Sequence, residues 1–203
     1  MTDRKTHWDS IHANKLNTEV SWYQAEPKRS IELIFEFSTP DSRVIDVGGG
    51  QSFLVDGLLD LGYRNLTVLD VAQSAVDATR SRLGERADLV RWIVADVTQV
   101  AHLDPVEVWH DRAVFHFLTE EADRRNYVNL LKRSLLPGGH AIIGTFAIGG
   151  PLRCSGLEIR QYDALTLSAE LGEQFRLTDS FEEDHQTPTG KTQRFFFAIF
   201  SRM

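Results

Sequence analysis

Apolar residues fall along this chain in short blocks separated by polar turns, and the blocks alternate between two periods. Val44, Ile45 and Val47 read as a short buried strand, since a strand covered on both faces is apolar nearly throughout. Leu66–Leu69, Leu89–Ala95, Val106–His110 and His140–Phe146 read the same way. Between them lie stretches of helical spacing: Phe53 to Leu61, Ser74 to Leu83, and a longer one opened by Thr119 with Tyr127, Leu130, Leu131 and Leu135 on its buried stripe. A further helix precedes the first strand, starting at Pro27 and carrying Ile31, Leu33, Ile34, Phe35 and Phe37. Alternating strands and helices imply a parallel sheet with crossovers. The last third departs from this rhythm. A short helix over about Asp163 to Leu171 leads to strands Phe175–Phe181 and Arg194–Phe200, joined by a turn-rich segment too short for a helical crossover. Those two strands should pair antiparallel. The expected architecture is α/β: a single-domain, Rossmann-like, seven-stranded, mostly parallel sheet with helices on both faces and an antiparallel C-terminal strand. Residues 28–203 form that domain. Residues 1–27, polar and aromatic without a clear period, read as an N-terminal appendage or lid carrying Trp8, Trp22 and Tyr23.

The first strand runs into Gly48-Gly49-Gly50-Gln51-Ser52. Three glycines permit positive φ and let a ligand approach bare backbone. Ser52 is placed to cap the following helix, and Ser74 with Asp77 resembles a capping box for the next. Strand, glycine turn and helix N-terminus make a nucleotide-type site at the carboxyl edge of a sheet. Three acids stand at three consecutive strand ends: Asp46, Asp70 and Asp96. Asp70 follows the glycine turn by about 20 residues, the spacing at which a carboxylate accepts ribose hydroxyls. An acidic rim of this kind suits a neutral or cationic ligand better than a pyrophosphate.

Composition narrows the classes. With 203 residues, 42% of them hydrophobic and 25% charged, the chain suits one globular core. A net charge of −7 argues against a dedicated nucleic-acid binder. There is no apolar run long enough for a membrane span and no signal-peptide core. Cys154 is the one cysteine, which excludes an internal disulfide and points to a reducing cytoplasm.

The motifs, taken in order, resemble those of the class I S-adenosylmethionine-dependent methyltransferases. Asp46-Val-Gly-Gly-Gly-Gln-Ser52 looks like that family's first motif, with Ser52 where its third glycine stands. Leu66–Asp70 is similar to the ribose-binding strand, Val94–Val97 to the adenine-contacting step, and Leu135–His140 to the turn before the fifth strand. The resemblance covers about residues 28–203 and implies S-adenosyl-L-methionine as cofactor. It would assign Asp46 and the backbone of Gly48, Gly49 and Gly50 to the methionine part, Asp70 to the ribose and Asp96 to adenine N6. Val71 and Val97 would sandwich the purine, and His110 would sit near the sulfonium, with Ser52 capping and Trp22 closing over the cofactor. His116 and Asp111, after the fourth strand, are the candidate catalytic groups, as base or as holder of a substrate amine. Asp111-Arg112 reads equally as an ion pair. His185 in an acidic turn reads as solvated rather than metal-binding, and no metal is expected. The loops around Gly149–Gly156 and Gln186–Gly190 are expected over the pocket mouth, and Phe195–Phe197 in the core. The implied reaction is methyl transfer to a small molecule or a specific protein side chain, by a monomer or homodimer. The alternatives are an NAD-dependent oxidoreductase, disfavoured by the closing hairpin and the missing Tyr-x-x-x-Lys pair, and a non-catalytic S-adenosylmethionine-binding module.

Overall fold

The computed structural model describes residues 4–203. Its main sheet has seven strands: β1 (Arg43–Val47), β2 (Asn65–Asp70), β3 (Val90–Val94), β4 (Val106–Arg112), β5 (Leu135–Phe146), β6 (Phe175–Gln186) and β7 (Thr192–Arg202). Their spatial order is β3-β2-β1-β4-β5-β7-β6. β1 to β5 run parallel, and β7 inserts antiparallel between β5 and β6. The strand order reverses beside β1, where β2 and β4 flank it; ligands bind outside the carboxyl ends of strands at such a switch point.

Helices cover both faces, as the alternation requires. On one face α2 (Lys28–Glu36) and α3 (Leu54–Asp60) bring Leu33, Ile34, Leu54, Val55 and Leu58 onto Val44, Val108, Ile142 and Ile199. On the other, α5 (Glu121–Ser134) and α6 (Ala164–Leu171) pack Tyr127, Leu130, Leu131, Leu167 and Leu171 against Ile45, Trp109, Ile143 and Phe200. Alternate residues of one strand enter opposite cores, the period of two expected for a central strand. α4 (Gln73–Leu83) joins β2 to β3, and α1 (Arg4–Asn14) lies against it. A two-residue ribbon, Arg153–Cys154 with Leu157–Glu158, decorates the loop after β5.

Some local expectations are corrected. The Ser74–Asp77 capping box does not form. Ala72 is the N-cap of α4, and Ser74 gives its N–H (3.0 Å) and hydroxyl (3.1 Å) to Asp9 Oδ1 of α1. The cap comes from a distant segment, which a local pattern does not reveal. Glu182–His185 is strand, not turn: β6 is the sheet edge, so its exposed residues are charged, and Glu182 and Asp184 meet Arg194 of β7 at 3.6 and 3.3 Å. Pro27 sits at the N-cap of α2, one place before the first helical turn.

Candidate active site

The strand ends open into one cleft, lined by the glycine turn, the three acids and the N-terminal segment. The glycines are required by what crowds them. Gly48 has φ +75°, and a Cβ there would overlap Val114; at Gly49 it would overlap the Asp46 carboxylate; at Gly50, with φ +25°, it would lie 2.7 Å from Asp70 Oδ2. Both carboxylates therefore come up against bare backbone at the turn. Ser52 Oγ accepts the Leu54 N–H at 3.1 Å, taking up one orphan donor at the start of α3.

Each acid is held differently. Asp46, 6% exposed, accepts a hydrogen bond from His110 Nδ1 at 2.7 Å, and His110 Nε2 reaches Ser30 Oγ at 2.9 Å. Parallel register places Asp46 beside His110 across β1 and β4, and α2 supplies the serine. Asp70 accepts the Ala72 N–H at 2.8 Å, and burial pushes its carboxyl up to about 6. Asp96 accepts the N–H and hydroxyl of Thr98 through Oδ1, while Oδ2 takes a guanidinium hydrogen of Arg4 at 3.1 Å. Arg4 also pairs with Asp123 of α5.

All residues expected on the cofactor line this cleft: Trp22, Asp46, Gly48, Gly49, Gly50, Ser52, Asp70, Val71, Asp96, Val97 and His110. His116 and Asp111 do not. Asp111, fully buried, accepts the Val114 and Phe115 N–H groups and the Tyr127 hydroxyl (2.8, 3.1 and 2.6 Å). Burial pushes its carboxyl up to about 6 against those donors. These bonds fasten the turn in which Ala113 holds φ +73°. His116 is wedged by the Phe117 and Phe146 rings and accepts the Phe146 N–H at Nδ1. Burial, helped by the Arg112 charge, drops its pKa to about 3, so it is neutral across the physiological range. The suggested Asp111–Arg112 ion pair is absent, because successive strand residues face opposite sides: Asp111 points to Tyr127 and Arg112 to the cleft. His185 Nε2 donates to the Ser21 carbonyl oxygen at 2.8 Å, and no metal-binding cluster occurs among the described residues. Of the two loops expected at the mouth, the first supplies Cys154, with Leu157 of the ribbon just beyond it, whereas Gln186–Gly190 lies off the cleft. Phe195 is both core and cleft wall.

Sequence reading missed Arg4, His12 and Ser30. Trp8 and Trp22 meet edge to face at 5.7 Å, and Trp8 meets Phe117 at 5.0 Å. Arg4 and His12 carry no local signal, since α1 has a weak apolar face and no fully buried residue, and Ser30 is a lone polar residue on the buried side of α2.

Residues 44–139 match the family described as "Methyltransferase domain". Nodulation protein S of Rhizobium tropici is 32% identical over 106 residues, 52% of this chain and 44% of that protein. Among solved structures, one from work on the conversion of a disulfide bond into a thioacetal group during echinomycin biosynthesis superposes with a TM-score of 0.80 at 18% identity, covering 98% of this chain and 92% of that one. The N-methyltransferase NodS from Bradyrhizobium japonicum WM9, solved with S-adenosyl-L-homocysteine, gives 0.67 at 18% identity over 86% and 84%. The family match spans just under half of this chain, and the fold is the one these solved structures share. The chain spans less than half the length of the curated relatives that head the comparison.

Proposed function

We propose that this protein transfers the methyl group of S-adenosylmethionine to a small molecule or a specific protein side chain. The observation that carries this reading is the convergence of Asp46, Asp70 and Asp96, from three adjacent strand ends, on a glycine turn stripped of side chains. When bound, the cofactor supplies an electrophilic methyl on a sulfonium. Asp46, oriented by His110 and Ser30, would hold the amino end of its methionine part, beside a glycine turn whose lack of side chains leaves room for it. Asp70 accepts the ribose hydroxyls, Asp96 accepts from adenine N6, and Val71 and Val97 clasp the purine. Trp22, with Trp8 and His12 of α1, closes the mouth, so that residues 4–27 act as a lid that sheds water from the reaction. Asp111 and His116 position the turn that carries Arg112 and Val114 and do not touch substrate. Alignment of donor and acceptor then supplies most of the rate. The net charge of −7 favours acceptors other than nucleic acid, and no described helix is long and apolar enough to cross a membrane. We place the protein in the cytoplasm, as a monomer or homodimer.

Thermal-shift titration tests the reading. S-adenosylhomocysteine is expected to raise the melting temperature where NAD does not, and Asp70→Ala to remove most of the shift. Equal stabilisation by NAD would overturn it. Tight cofactor binding with no labelled methyl passed to any metabolite or protein fraction would leave a binding module instead.

A further inference from the structure

The cleft has a second half, beyond the acids, whose walls are apolar. Trp22, Phe117, Phe146, Leu157 and Phe195 form it, and one guanidinium enters it, that of Arg112. Strand period and the turn fastened by Asp111 aim this side chain inward. Its Nη1 donates to the Trp22 carbonyl at 3.1 Å, and its Cζ lies 4.4 Å from the Phe195 ring centroid. These contacts fix the fork without neutralising it. Arg4 and Arg112 are the two arginines of the cleft wall. Arg4 is paired with Asp96 and Asp123, whereas Arg112 has no ion-pair partner among the described residues. Glu183, whose field reaches it, is committed to Arg29 at 2.9 Å. Apart from Glu183, the neighbouring titratable groups are uncharged at neutral pH: burial raises the Cys154 thiol pKa, and it lowers those of His116 and His185. Arg112 itself is drawn down by burial to about 10, so it remains a cation at neutral pH.

A largely enclosed cation without a direct ion-pair partner is costly unless an anion joins it. A guanidinium whose remaining N–H groups face a cleft matches a planar oxyanion in two-point geometry. We infer that this half of the cleft is the acceptor subsite and that it takes a molecule bearing a carboxylate on a flat apolar body, anchored by Arg112. Phe195, Phe146 and Trp22 hold the body, and the anchor sets which end faces the methyl donor. The inference rests on the methyltransferase reading of the same cleft and adds the substrate class.

The test uses full-length protein loaded with S-adenosylhomocysteine, titrated with benzoate, benzamide and benzylamine. Tryptophan fluorescence and thermal shift report binding, since Trp22 and Trp8 line the site. Benzoate is expected to bind about tenfold or more tighter than benzamide, the difference one charge-assisted hydrogen-bonded pair makes, and benzylamine not at all. Arg112→Gln should erase the preference for benzoate while keeping the S-adenosylhomocysteine shift. If Arg112→Gln loses that shift, Arg112→Lys decides, with an expected loss of about tenfold for benzoate because an ammonium lacks the planar fork. Absence of a benzoate preference in the wild type overturns the inference, as does a preference that survives loss of the guanidinium. Failure of S-adenosylhomocysteine to stabilise the wild type would instead strike at the methyltransferase reading beneath it.

Discussion

Asp70→Asn should strengthen the free protein and cripple its hold on the cofactor. Asp70 is 7% exposed, and burial, with Asp46 adding to it, moves its carboxyl from 3.8 to about 6. Holding it ionised at pH 7 therefore costs the fold about 3 kcal/mol. The sign follows from the raised folded value. The native state binds the proton more tightly than the unfolded chain, so this group's contribution is most favourable below about pH 4 and is lost as pH climbs through 6. Asparagine removes the charge and keeps the acceptor for the Ala72 N–H, but sets an amide against Gly50, which returns about 1–2 kcal/mol of the gain. The free variant should thus be about 1 kcal/mol more stable than wild type at pH 7 and no more stable at pH 4. Urea unfolding at both pH values measures this, and the wild-type minus variant difference isolates Asp70 from Asp111, which titrates over the same range. Wild-type affinity for S-adenosylhomocysteine should fall about tenfold from pH 7 to pH 5, as the ribose acceptor is protonated, and this slope should vanish in the variant. A variant that is less stable than wild type by 2 kcal/mol or more, or one that binds the cofactor product undiminished, would refute the argument.

Asp111→Ala leaves the Tyr127 hydroxyl and the Val114 and Phe115 N–H groups without their acceptor, and should cost about 3–5 kcal/mol in urea unfolding. Gly49→Ala puts a methyl into the Asp46 carboxylate and against Val68, and should abolish the S-adenosylhomocysteine thermal shift and lower the unliganded melting point as well. Asp9→Ala removes the acceptor that caps α4 from α1 and should lower stability by about 1 kcal/mol, with faster amide exchange through both helices. Because His116 is held neutral down to about pH 3, turnover should show no inflection near 6.5 that His116→Gln abolishes; finding one would restore it as a proton carrier.

Periodicity alone determined much of this protein. Short apolar blocks alternating with helical stripes gave five parallel strands and their crossovers, because a strand buried on both faces and a helix buried on one leave different spacings. The closing hairpin followed from a connection too short for a crossover helix. The acidic half of the cleft was legible too: Asp46, Asp70, Asp96 and the three glycines are local features of single strand ends, and parallel register brings strand ends together. What only the tertiary structure decided lies between segments far apart in the chain. Asp9 caps a helix 65 residues away, Arg4 reaches Asp96, and Ser30 completes the Asp46–His110 chain from a different element. Asp111 and Arg112, adjacent in sequence, part to opposite faces of the sheet, so the acid braces a turn and the base enters the cleft. Neighbours on a strand share no environment, and which of two faces becomes a cleft depends on where the helices leave the sheet uncovered.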